Sequence, residues 1–217
     1  MPGAFVAQST FDPAARPPRA SAARDGGPAV PTAPANTIER TRTLIVIETE
    51  RLILRQLCAA DAAFILELVN DPDWLRYIGD KDVHDLDAAE RYIENGPVAM
   101  YARHGFGLYC VERKSDRAPI GMCGLIRRET LPDVDIGFAF LPAHRARGYA
   151  REAARATLEY GRDVLGLPRI VAITSPDNAA SGRLLEAIGL AFEGLREYPG
   201  DERPIRYYGC NFAAAPA

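Results

Sequence analysis

The sequence predicts a mixed α+β (α/β) domain around one central sheet, and three observations carry the prediction. Strand and helix signals alternate from Thr43 onward. Three strand-like runs then follow one another across short polar turns, the pattern of an antiparallel meander. Beyond the meander the order changes to helix, strand, helix and a closing pair of strands, so helices and sheet share one core.

The elements follow in order. In "TLIVIETERLILRQL" two β-rich runs flank Glu48 to Glu50, which reads as a hairpin. Asp61 is placed to cap a helix that puts Phe64, Ile65, Leu68 and Val69 on one face and ends near "NDPDW". Asp87 with Glu90 three residues on has capping-box spacing, and a second helix runs from there to the stop signal "NGP" at Asn95 to Pro97. The meander is "FGLYCVER", "PIGMCGLIRR" and "VDIGFAFL". Ala150, Ala154, Leu158 and Leu165 at helical spacing predict a helix over 150–165, "RIVAIT" a strand over 169–174, and Asn178 to Ile188 another helix. "LAFEGLREYP" and "PIRYYGCNF" close the chain as two strands around a turn at Pro199 to Arg203.

Composition bounds what this domain can do. The chain has 217 residues, 47% hydrophobic and 25% charged, enough for a core without staples. Residues 1–42 are rich in Ala, Pro, Gly, Ser and Arg with few large apolar residues, and predict a disordered extension ahead of a domain over 43–217. No apolar run approaches the roughly 20 residues that span a bilayer, and a net charge of −3 gives no bulk attraction to nucleic acid or anionic lipid. Partners of either kind are therefore not expected. Cys58, Cys110, Cys123 and Cys210 have no metal-ligand spacing, so the expectation is no metal and free thiols in a reducing cytoplasm.

The informative stretch is "AFLPAHRARGYAREAARA". A strand end, a glycine-containing turn and a helix start form an anion site, because helix N-terminal N–H groups lack intrahelical partners and the helix dipole favours negative charge. Neither the GxxxxGK[ST] nor the GxGxxG fingerprint is present. Arg145 and Arg147, with Gly148 and Ala150, belong to the turn; Arg151 and Arg155 read as a solvated helix face or a peripheral phosphate contact.

"VDIGFAFLPAHRARGYA" resembles the acetyl-CoA-binding motif of the GNAT superfamily of N-acetyltransferases, with Arg145-Ala146-Arg147-Gly148-Tyr149-Ala150 at [Arg/Gln]-x-x-Gly-x-[Gly/Ala]. "SPDNAASGRLLEAIGLAFEG" resembles the family's next block at Asn178, Ser181 and Gly189, with Leu190 substituted. "TERLILRQLCAADA" and "IGMCGL" resemble the branch of the Rim-type ribosomal-protein N-terminal acetyltransferases. The resemblance covers residues 45 to 212. It implies a GNAT fold, a central, mostly antiparallel twisted sheet with a splayed parallel strand pair and flanking helices, that binds acetyl-CoA and an amine acceptor as a monomer or homodimer.

Carried over by position, the resemblance implies that a bulged strand offers the backbone of Phe138, Ala139 and Phe140 to the pantetheine. The pyrophosphate rests on the amides of Arg145, Ala146, Arg147, Gly148, Tyr149 and Ala150, with Asn178 and Ser181 facing the cofactor from the other side. Transfer by direct attack needs a neutral amine, which at pH 7 costs roughly 4.6 kcal/mol for a lysine-like group and only about 1 kcal/mol for an α-amine. Asp135 stands at the family's acidic strand position and is the candidate general base, acting directly or through water, or else a residue that orders the turn after Pro132. The family's helical tyrosine is replaced by Leu185, so Ser181 and Tyr208, or Tyr207, are the remaining catalytic candidates. Trp74, Tyr77 and Tyr101 lie where the family keeps acceptor loops, or are packing residues. The acceptor, a protein α-amine or a small-molecule amine, stays open, and Leu185 keeps open a catalytically silent acyl-CoA-binding module.

Overall fold

The structure is a computed structural model that describes residues 44–199 and 203–212. The expected extension over 1–42 lies outside the described residues, as does part of the turn at Pro199 to Arg203. Eight strands form one sheet in the order β1-β2-β3-β4-β5-β6-β8-β7: β1 (Ile45–Glu48), β2 (Leu52–Arg55), β3 (Leu108–Arg113), β4 (Pro119–Ile126), β5 (Val134–Phe140), β6 (Arg169–Thr174), β7 (Ala191–Arg196) and β8 (Ile205–Asn211). Only β5 and β6 pair in parallel; the other neighbours are antiparallel. A parallel pair needs a crossover, supplied by α5 (Tyr149–Asp163).

Alternation along β5 assigns the two faces. Val134, Ile136, Phe138 and Phe140 point into a core beneath α5 and α6 (Ala179–Ala187), with Leu125, Ala154, Leu158, Ile170 and Leu185. Ala139 points the other way, toward Ile65, Leu68, Trp74 and Ile93. Those come from α1 (Ala62–Val69), α2 (Pro72–Tyr77) and α3 (Leu86–Ile93), which cover the second face, whereas Tyr101 of α4 (Ala99–His104) packs against the first core.

The first-half helices differ from the sequence reading. "NDPDW" starts a helix: the Asp71 carboxylate accepts from the Asp73 and Trp74 amides at 3.1 and 3.4 Å, and Pro72 sits where a missing N–H is harmless. The cap of α3 is Asp85, which accepts from the Ala88 amide at 2.7 Å, and Asp87 lies inside the first turn. "NGP" does not stop the chain either. A single π-helical turn over Glu94–Val98 takes in Pro97 and leads directly into α4, because the wider turn shifts the ladder past the proline. Asp61 stands at the N-cap position of α1, yet its carboxylate bonds the Arg55 guanidinium at 2.7 and 2.8 Å.

Candidate functional site

The site begins where β5 and β6 part. They pair only at Val134↔Ile170 and Asp135↔Val171, and then diverge. The expected bulge is absent: the β4–β5 register runs unbroken from Gly121↔Phe140 to Ile126↔Asp135. Divergence alone bares the edge. The Leu141 amide donates to the Ile120 carbonyl at 3.0 Å, so alternation turns the N–H and C=O of Ala139 toward Met122 on β4 and those of Phe138 and Phe140 toward the β6 side. Ala139 is thus spent on the sheet, contrary to the sequence expectation. The Phe140 carbonyl accepts from Arg145 Nε at 2.8 Å, which leaves both backbone groups of Phe138 and the Phe140 amide at the opening.

A short 3₁₀ turn, Pro142–His144, carries the chain from β5 to the loop before α5. Ala146 (φ 57°) and Gly148 (φ 82°) are both left-handed, a conformation glycine adopts freely and alanine at a cost of about 1–2 kcal/mol. Among the described residues no carbonyl accepts from the amides of Ala146 through Arg151, whereas the Arg145 amide donates to Pro142 at 3.3 Å. Arg145 therefore drops out of the expected set of phosphate amides. Left-handed residues at a helix start make such amides converge into an anion-binding concavity.

The arginines of the run divide. The largely buried Arg145 guanidinium bonds Asp71 and, at 2.7 Å, Asp73, so it ties the loop to the start of α2. Arg147 is exposed and lends its carbonyl to Arg51 Nη1 at 3.1 Å. Arg151 is exposed, and Arg155 pairs with Glu159 at 3.1 Å one turn on. On the opposite side Glu152 accepts from the Thr49 hydroxyl (2.6 Å), the Arg51 amide (2.9 Å) and Arg51 Nε (2.6 Å). Burial alone would raise the Glu152 carboxyl, but these bonds outweigh it and hold the group below the usual range. Two clamps, from β1–β2 and from α2, thus fix the loop.

Across the opening, the buried Asn178 carbonyl oxygen accepts from the Ser181 amide at 3.1 Å and caps α6. Leu185 is wholly buried in the core. The Tyr208 hydroxyl, also buried, accepts from Arg206 Nε at 2.7 Å and lies so close to Gly182 that a side chain there would collide with it. Tyr207 points to the other face, with the Arg196 guanidinium 3.5 Å from its ring centre. Only Tyr208 of the pair shares the α6 face with Ser181.

Asp135 is fully buried, and one oxygen accepts from Arg128 Nε at 2.9 Å. The other, Oδ2, has no hydrogen-bond partner among the described residues. Burial pushes the carboxyl above its usual range, with Arg128 pulling the opposite way. Next to this pair, on the α2 side of β5, an apolar cleft reaches Gly137, Phe138 and Ala139. Its walls are Trp74, Tyr92, Pro97, Met100 and Met122, and its charged lining side chains among the described residues are Lys81 and Arg128. Of the aromatic candidates, Trp74 lines this cleft, Tyr77 is buried under the Arg76 guanidinium, and the Tyr101 hydroxyl bonds Leu57 and Leu108 of the framework.

Sequence reasoning missed Arg51, Lys81 and Arg128. Each sits in an unremarkable local pattern and gains meaning only from a partner 7 to 101 residues away or from a wall of the cleft.

Known proteins share the family and the fold. A family model described as the acetyltransferase (GNAT) domain matches residues 51–191. The uncharacterised N-acetyltransferase YoaA of Bacillus subtilis is 32% identical over 155 residues, 70% of this chain and 87% of YoaA. A GNAT-family acetyltransferase from Bacillus anthracis shares the fold with a TM-score of 0.64 at 27% identity, over 76% of this chain and 97% of that one. A ribosomal-protein-S5-alanine acetyltransferase from Vibrio fischeri, 19% identical, has a TM-score of 0.66 over 78% of this chain and 98% of its own, a likeness of fold.

Proposed function

The chain belongs to the GNAT acetyltransferase family, and from that premise we propose that it moves an acetyl group from acetyl-CoA to an acceptor amine by direct attack in a ternary complex. The observation that carries the reading is the opening of β5 from β6 beside a loop of unclaimed amides. In this reading the pyrophosphate lies on the amides of Ala146, Arg147, Gly148, Tyr149 and Ala150. The pantetheine runs along Phe138 and Phe140, with Asn178 and Ser181 opposite.

The amine nitrogen attacks the thioester carbonyl; the C–N bond forms, the C–S bond breaks and coenzyme A leaves as thiolate. The Phe138 amide is fixed by the strand and costs no reorganisation as it polarises the developing oxyanion. The proton lost by the amine passes through water to Asp135 Oδ2, and burial, by raising the carboxylate's affinity for a proton, suits it to that role. Because the Tyr208 oxygen accepts from Arg206, its own proton is available to the thiolate, and Ser181 stands on the same face. A coenzyme A thiol of ordinary acidity leaves without such help, so Leu185 in place of a tyrosine is compatible with turnover.

Thiol release from acetyl-CoA in the presence of a panel of peptides and small amines tests the proposal. The expected result is acceptor-dependent release with intersecting initial-velocity lines. Tight coenzyme A binding without release for any acceptor overturns it in favour of a sensing module.

A further inference from the structure

We propose that Arg128 is a positioning residue for acetyl transfer: it grips the buried Asp135 carboxylate by one oxygen, keeps it charged, and leaves the other oxygen to take the proton. This rests on the acetyl-transfer reading above, in which Asp135 is the base.

The need for such a residue follows from where Asp135 stands. Its side chain is wholly buried on β5, between Ile126 of β4 and Val171 of β6, both apolar. A lone carboxylate in such surroundings takes up a proton instead of holding its charge, and a carboxyl that is already protonated accepts nothing from an amine. Arg128, two residues beyond the end of β4, brings the compensating charge. Its Nε donates to Asp135 Oδ1 at 2.9 Å, and its side chain is 8% exposed. A guanidinium suits this place because burial does not strip its proton, as it can strip that of an ammonium.

The grip is one-sided. Guanidinium and carboxylate often meet through two parallel bonds that engage both oxygens. Here Oδ1 alone is engaged, and Oδ2 has no hydrogen-bond partner among the described residues. The single bond fixes the carboxylate while the lone pairs of Oδ2 stay open to a proton. Arg128 is itself anchored. Tyr198, just after β7, hydrogen-bonds it, and the Tyr198 hydroxyl lies 2.6 Å from Thr130 Oγ1 in the connection between β4 and β5. Arg128 also lines the apolar cleft beside Gly137 and Phe138, so the ion pair stands at the wall of the space assigned to the reacting groups. The remaining titratable neighbours are Lys81, after α2, and Tyr92 of α3, and both act on Arg128. Arg128 is the charged side chain that bears on Asp135 itself, and it opposes the effect of burial there.

The test uses the full-length protein carrying carbon-13-labelled aspartate. The Asp135 carboxyl resonance is identified by its absence in Asp135→Asn and titrated by NMR in the wild type, Arg128→Gln and Arg128→Lys. Coenzyme A release from acetyl-CoA is followed over the same pH range with phenethylamine and a leucine-initiated peptide as acceptors. The wild-type carboxyl is expected to be ionised at about pH 7. Arg128→Gln keeps a donor for Oδ1 but not the charge, so the midpoint rises by about one pH unit or more, whereas in Arg128→Lys it stays within about half a unit. Near neutral pH kcat falls roughly tenfold in Arg128→Gln at an unchanged KM for acetyl-CoA, and it recovers as pH rises through the new midpoint. The limb set by the acceptor's own amine is common to all variants and cancels in the comparison. A wild-type carboxyl still protonated at neutral pH overturns the proposal whether or not either variant folds. So does an unmoved midpoint in Arg128→Gln, or a loss of kcat that is equal at every pH, the mark of a merely structural arginine. Turnover that Asp135→Asn leaves intact removes the base, and the role of Arg128 with it, while acetyl transfer stands. No release with either acceptor, together with the expected midpoints, counts against the transfer reading while the grip of Arg128 on the carboxylate stands.

Discussion

Replacing Arg145 with alanine should destabilise the domain through α2 as well as loosen the phosphate loop. The Arg145 side chain is 11% exposed and bonds Asp71, 5% exposed, and Asp73, 27% exposed. Removing one member of a buried ion pair costs about 3–5 kcal/mol, because the other charge is left uncompensated. Asp73 can rehydrate and the freed Phe140 carbonyl can meet water, so the lower end, about 3 kcal/mol, applies. For a domain of this size that corresponds to a melting temperature lower by roughly 6–12 °C. Adding Asp71→Asn removes the stranded charge while its carbonyl oxygen can still cap α2. The double variant should therefore recover about 1–2 kcal/mol, a coupling typical of contacting residues. Urea denaturation of the four proteins in the cycle gives the answer. A loss below about 1 kcal/mol with no coupling would refute the clamp and return the Arg145 guanidinium to the anion site.

Three other outcomes follow from the same geometry. Gly148→Val places a β-branched residue at φ 82°, and the new Cβ would lie 3.3 Å from the flexible tip of Arg51. The fold should survive while acetyl-CoA affinity, read by calorimetry, falls about tenfold or more; an unchanged Kd would remove the loop from the cofactor site. Glu152→Gln should cost stability near neutral pH. The folded-state carboxyl of Glu152 is depressed, so its contribution is present above the unfolded value of about 4.3 and is lost as pH falls through the folded value. The wild-type and variant denaturation midpoints should converge in acid, and a gap independent of pH would contradict the clamp. Tyr208→Phe should lower kcat with little change in KM, and an unaltered kcat would exclude its hydroxyl from thiolate release.

How far the sequence foretold the molecule depended on how local each cause was. The meander, the crossover helix and β6 announce themselves through runs such as "RIVAIT", whose pattern the sheet keeps residue for residue over Arg169–Thr174. The α2 helix was missed because Asp-Pro in "NDPDW" marks a stop and a start with the same residues, and what decides between them is Asp71 meeting the Asp73 and Trp74 amides. Pro97 reads as a stop unless a π-turn absorbs it, and a π-turn has no local signature. In the site, the phosphate loop was legible from glycine placement and order of elements. Its clamps were not: Glu152 with Arg51 and Arg145 with Asp71 join residues 101 and 74 apart. Arginines that look alike along the chain differ only by the partner the fold brings to them.

The most direct measurement is a crystal structure of the protein with an unreactive acetyl-CoA analogue. The account predicts the pyrophosphate on the amides from Ala146 to Ala150, the pantetheine hydrogen-bonded to the Phe138 backbone between the parted ends of β5 and β6, and the acyl group at the inner end of the cleft beside Gly137. A pyrophosphate held elsewhere, or an acyl group out of reach of that cleft, would contradict it.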